Sequence, residues 1–201
     1  MADDMAARFE RDTAGHQMTI LHDDGLYRHL RFRRPDRSAY WFDLITWPGS
    51  LVVNGDCGSF TLARCDDMFE FFRGHGINPQ YWAEKVRAGK TTRYSPAKFR
   101  QLVTEYAADA EADEPGLTAA IAERIFGALK EWDTGYEEGA REALRDFEYR
   151  PEGDGSGSEP FRFTDAWEWD LHDYDWQFLW CCHAIQWGIG QYDKQKVPVS
   201  G

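Results

Sequence analysis

What the chain lacks narrows its chemistry first. No stretch of its 201 residues approaches the ~20 apolar residues of a membrane-spanning helix, and its N-terminus has no apolar leader core. The expectation is a soluble protein of the cytoplasm, without a membrane partner. Cysteine is scarce: Cys57, Cys65, Cys181 and Cys182 make no C-x-x-C pair, and the vicinal two sit in an apolar run. That pattern favours buried thiols over a disulfide frame or a zinc site. Missing too are the P-loop, the dinucleotide-binding glycine signature, the G-x-S-x-G elbow and the H-x-x-x-H spacing of helical zinc ligands. The expectation is therefore no catalytic residue, no cofactor and no metal.

What is present is aromatic and acidic. Aromatic residues make up 15% of the chain, nine of them tryptophan, with 42% hydrophobic and 29% charged residues, the balance of a globular protein. So many rings imply an aromatic core or a sticky surface. The net charge of −12 is uneven. Residues 1–104 carry 15 Lys/Arg against 13 Asp/Glu, residues 105–175 carry 6 against 21, and residues 176–201 carry 2 against 1. One stretch thus holds more than the whole excess, which bears on partners and solubility rather than on fold.

Along the chain the hydrophobic period is first 2 and then 3.6. A short helix is expected near residues 3–16, with Ala6 and Phe9 on one side. β-type runs at 18–22 and 26–33 flank Asp23-Asp24-Gly25, and further runs follow at 39–47, 51–53 and 59–62. Residues 17–63 therefore read as an antiparallel meander of four to five strands. The glycine-rich segment Trp47–Phe60 is either the tip of a tight hairpin or a wall of a site, because glycine in a strand marks a turn or a close backbone approach. Helices are expected from Cys65 or Asp66 onward, carrying Met68, Phe69, Phe71 and Phe72, then after Asn78-Pro79, after Ser95-Pro96, after Pro115 and around 135–147. Residues 151–160, rich in Gly, Ser and Pro, read as a flexible loop. The ending, 176–193, is apolar nearly all round and must be buried, against the sheet. The fold class expected is α+β: one domain over 1–201, near-neutral over 17–104, with an acidic helical lobe over 105–175.

Several phrases of the chain are long and distinctive: His22-Asp23-Asp24-Gly25, Arg28–Arg33, Phe42–Gly49, Gly55-Asp56-Cys57-Gly58, Asp67–Phe72, Tyr81–Lys85 and Phe178–Ile189. On these phrases the chain, over roughly 9–193, resembles a family of uncharacterised proteins carried by tailed bacteriophages and prophages. The resemblance carries over no catalytic or binding residue. It implies a phage accessory protein acting in the host bacterial cytoplasm, where such proteins often block host defences, CRISPR–Cas included.

Four constellations could carry chemistry. His22 and His29, with Asp23, Asp24 and Asp43, could form a metal site or an acid–base pair, or simply be solvated around a turn. The segment Asp165–Asp175 alternates acids and aromatics around His172, as a cation site or as a half-buried edge. Arg28, Arg31, Arg33, Arg34 and Arg37 could grip phosphate beside the Gly49–Gly58 hairpin, or pair with the acidic half. The first of those alternatives makes a small-molecule or nucleotide pocket of Arg31, Arg33, Asp56 and Asp67. The acidic block, with Glu131, Asp133, Glu137, Glu138 and Glu142, could imitate spaced phosphates and occupy a basic channel, or be a solvated face. Either way it disfavours direct nucleic-acid binding through the acidic lobe. The leading expectation is a non-enzymatic protein that binds and inhibits a host protein or complex, in the manner of an anti-CRISPR; the nucleotide pocket is the alternative.

Overall fold

In the computed structural model, residues 2–74, 76–128, 130–151 and 159–196 are described. The chain divides into two compact units: residues up to Thr92 together with those from Tyr174 onward, and an insert, Arg93–Asp173.

The first unit is an antiparallel sheet under helices. Helix α1 (Ala2–Thr13) leads into β1 (Gln17–Asp24), β2 (Tyr27–Arg33), β3 (Phe42–Trp47), β4 (Ser50–Gly55) and β5 (Gly58–Ala63). Helices α2 (Met68–Phe72) and α3 (Pro79–Ala83) precede a short sixth strand, β6 (Val86–Ala88), and the strand order is β1-β2-β3-β4-β5-β6. The expected meander gains one strand beyond its helices, because the chain returns after α3 to pair with β5. Three local devices act as their residue types dictate: Asp67, Asn78 and Ser95 each accept a backbone N–H in the next turn, and Pro79 and Pro96 open their helices where no N–H is needed.

Alternation along β2 and β3 puts Leu30, Phe32, Phe42 and Leu44 on one face, all at most 1% exposed. The last helix, α7 (Trp176–Lys196), starts where Asp175 accepts from the Gln177 N–H and lies along that face. Its fit is set at Gly188, where a Cβ would stand 2.7 Å from Leu44 Cδ1. Phe9, Phe32, Phe42, Trp180 and Trp187 meet there at ring-centroid distances of 4.6–6.2 Å. The aromatic wealth is thus largely core.

The glycine hairpin is structural. Gly49 and Gly58 turn the chain at φ +83° and +105°, and a Cβ at Gly55 would stand 2.1 Å from the Trp41 carbonyl oxygen. What approaches that backbone closely is the neighbouring strand. The turn itself falls on Asp56-Cys57, between the paired Gly55 and Gly58.

The insert has its own core. It contains α4 (Pro96–Ala110), α5 (Leu117–Arg124), α6 (Glu137–Asp146) and a single 3₁₀ turn, Ala166–Glu168. Phe99, Val103, Leu117, Ile121, Ile125, Ala143, Phe147 and Leu171 close around one another at 2% exposure or less. Two short strands, β7 (Thr92–Tyr94) and β8 (His172–Tyr174), mark where the chain enters and leaves it. The loop expected at 151–160 falls mostly outside the described residues.

Candidate functional site

The four constellations can now be placed. The thiols are poor nucleophiles. Cys57, Cys181 and Cys182 are buried, and burial pushes the Cys57 thiol up to about 12 and raises the other two strongly as well. Cys65 is exposed but raised as well, by partial burial and by Asp67, Glu70 and Asp66 around it.

The arginine strand splits across the sheet. Arg28 points to the covered face, where Nη1 and Nη2 donate to the Asp67 carboxylate at 2.9 and 3.1 Å and its guanidinium lies 4.7 Å from the Phe69 ring centre. Arg31 points to the opposite face and grips Asp43 at 2.9 and 2.8 Å. Arg34 pairs with Asp36. Asp56 stays at the β4–β5 turn, accepting from the Tyr40 N–H. Arg31, Arg33, Asp56 and Asp67 therefore form no common pocket, since the two-residue period of β2 sends Arg28 with Asp67 one way and Arg31 with Arg33 the other. Nor do Arg28, Arg31 and Arg34 pair with the acidic half; their carboxylates are neighbours within the first unit.

The first-hairpin histidines partly converge. His29 Nε2 lies 2.8 Å from Asp43 Oδ2, and His22 stands opposite His29 across β1 and β2. Burial pushes the Asp43 carboxyl up, but Arg31 and His29 outweigh it and hold it below the ordinary aspartate value. Among the described residues no three His, Cys, Asp or Glu side chains are placed to share a metal ion. In the second histidine segment, His172 lies between Glu137 and Asp170, and Lys98 takes Asp170 as well. Internal ion pairs account for that cluster.

The acidic residues divide. Glu131 is held by Arg124, Asp133 by Lys130, and Glu137 by Arg141. Glu138 and Glu142, one turn apart on α6, are exposed and form no close ion pair among the described residues, although Arg145 lies within electrostatic reach of Glu142. Beside them the insert shows two hollows that share Arg141 and Arg145. One, about 600 Å³, is lined by Tyr136, Glu138 and Glu142; the other, about 460 Å³, by Leu144, Phe163, Ala166 and Trp167. Tyr136 and Trp167 are each 72% exposed, the most exposed large apolar side chains described. Arg141 fixes the floor by donating to the Ala166, Trp167 and Trp169 carbonyls. The sequence reading named the glutamates and missed the rings; the alternation of acids with aromatics in Asp165–Asp175 was the only signal for Trp167.

Comparison with family models, curated proteins and solved structures finds no match. The geometry alone then speaks for the site. Among the described residues it offers no activated nucleophile or preformed cation cage, and it offers two bare aromatic anchors near carboxylates that form no close ion pair.

Proposed function

We propose that this protein acts by binding: a phage accessory protein whose acidic insert docks on a basic site of a host macromolecule and blocks it. The observation that carries the reading is the concentration of charge. Residues 93–173 hold 20 Asp/Glu against 9 Lys/Arg, a net −11 of the chain's −12, on a compact unit with its own core. Carboxylates displayed on a helix, such as Glu138 and Glu142, present charge at regular spacing, as a phosphate backbone does, and Tyr136 and Trp167 supply the large aromatic contacts typical of interface hot spots. A host protein that handles nucleic acid has the basic surface this unit complements, and the resemblance to phage proteins points to a bacterial defence complex of the CRISPR–Cas kind, in the host cytoplasm. Among the described residues no helix is long and apolar enough to cross a membrane.

The test is phage survival on a CRISPR-defended strain expressing the protein, paired with its capture of the defence complex from that strain. Protection and capture should both be present, should weaken as ionic strength rises, and should fall at least tenfold for Glu138→Lys with Glu142→Lys and for Trp167→Ala. Unchanged survival with no capture overturns the reading, as does binding indifferent to those substitutions.

A further inference from the structure

The sheet of the first unit has a second face, and it is built differently from the one under α7. Register puts its side chains in rows across the strands. Asp24 faces Tyr27, and one step beyond the Arg28–Thr46 pair Tyr27 stands beside Trp47, which faces Ser50. The next row is His22, His29, Ile45, Val52 and Thr61. Then come Thr19, Arg31, Asp43, Asn54 and Ser59, and beyond them Arg33 faces Gln17. Tyr27 and Trp47 on this side of the sheet are 55% and 40% exposed.

Two features set the face apart from an ordinary solvated sheet. Asp43 is only 3% exposed, although it lies on the side away from the core, because Arg31 and His29 close over it. The carboxylate is thereby cancelled and His29 is held in place, with His22 alongside. Arg33, two residues from Arg31 on the same side, has no carboxylate partner among the described residues. The face thus combines two exposed rings, rows of Thr, Asn and Ser, a guanidinium without a carboxylate partner, the imidazole of His22 and the exposed carboxylate of Asp24. Six residues separate Tyr27 from Arg33, roughly 20 Å along the strand.

We propose that this face is a platform for single-stranded nucleic acid, with Tyr27 and Trp47 stacking bases and Arg33 and His22 meeting phosphates. Unstacked bases offer a π-face to any exposed ring, while a duplex hides them, so exposed aromatics beside cations select single strands. The remaining residues of the face are polar or half-buried, which suits a hydrated strand better than a dry protein interface. Charge opposes it less here than on the insert: residues 1–92 with 174–201 sum to −1, whereas the insert is at −11. The inference goes beyond the acidic-insert reading, uses none of its residues, and stands or falls separately.

Fluorescence anisotropy of the full chain with labelled single-stranded RNA and DNA of about ten nucleotides tests it, with duplex DNA as the comparison. Binding to at least one single strand should exceed binding to duplex. Tyr27→Ala and Trp47→Ala should each weaken it about tenfold while leaving the melting temperature unchanged. Arg33→Ala should weaken it as well and lower the salt slope by about one. Glu138→Lys should leave it no weaker. No anisotropy change, equal affinity for duplex, or indifference to Tyr27→Ala and Trp47→Ala overturns the proposal. So does a loss of self-association in Trp47→Ala, which would make the face an interface between copies.

Discussion

At the scale of single residues, Asp67 matters most, because it does two jobs. Its carboxylate takes both Nη atoms of Arg28, whose side chain is 8% exposed, and Oδ1 also accepts the Phe69 N–H that opens α2. Asp67→Ala leaves a buried guanidinium uncompensated and should cost about 3 kcal/mol in urea unfolding. Asp193→Ala, whose pair with Arg73 is 39% exposed on both sides, should cost less than about 1 kcal/mol. The two differ again in acid. Burial pushes the Asp67 carboxyl up, but Arg28 and the Phe69 N–H pull harder, so its folded value lies below the ordinary one. A depressed carboxyl contributes its full stability above the unfolded value of about 3.9 and loses it as pH falls through the folded value. The gap between the parent and Asp67→Ala should therefore narrow below about pH 4, which denaturant midpoints at stepped pH will show; a constant gap would remove Asp67 from the acid response. In the sequence a helix start was legible one or two residues early, at Cys65 or Asp66, rather than at Asp67. The bond of Asp67 to Arg28, 39 residues away, was not legible, since nothing local distinguishes Arg28 from Arg31.

Among the elements, α7 decides most. Its all-round apolar composition required burial, and the structure places it on the sheet, as that composition predicted. Its two mid-to-late glycines look alike in sequence and differ in place. A Cβ on Gly188 would meet Leu44 at 2.7 Å and Phe32 at 3.1 Å, whereas one on Gly190 would meet nothing within 4 Å. Gly190→Ala should raise stability by about 0.5–1 kcal/mol through helix propensity alone. Gly188→Ala gains the same propensity but must shift a packed core, so it should lower stability by about 1–2 kcal/mol net. Opposite signs in thermal unfolding bear out the packing; equal signs would mean that α7 sits off the sheet by more than a methyl group. The meander was readable for a similar reason: alternation and Asp-Gly or Gly-rich turns are local signals. Strand β6 was not, because three residues after two helices carry no periodicity and pair only when the chain returns to β5.

For the molecule as a whole, the governing fact is that charge and architecture share a boundary. The acidic stretch expected at 105–175 lies almost wholly within the Arg93–Asp173 unit. Self-repulsion within a unit at −11 opposes its compact state, and added salt screens it. Raising NaCl from about 0.01 to 0.15 M should lift the melting temperature by roughly 2–4 °C, the equivalent of about 1 kcal/mol at this size; a fall would mean that the ion pairs of Glu131, Asp133 and Glu137 outweigh the repulsion. The sequence by itself determined the class, the capped helices, the buried last helix and the location of the acidic excess, because periodicity, capping and net charge are properties of neighbouring residues. Only the tertiary structure decided which charges are spent and which are free. It cancelled Glu131, Asp133 and Glu137 against cations of the same unit, paired Arg28, Arg31 and Arg34 with aspartates of the first, left Glu138 and Glu142 in no close ion pair near exposed rings, and left Arg33 without a carboxylate. Ion pairs and exposure depend on residues brought together across tens of positions, and no spacing along the chain encodes that.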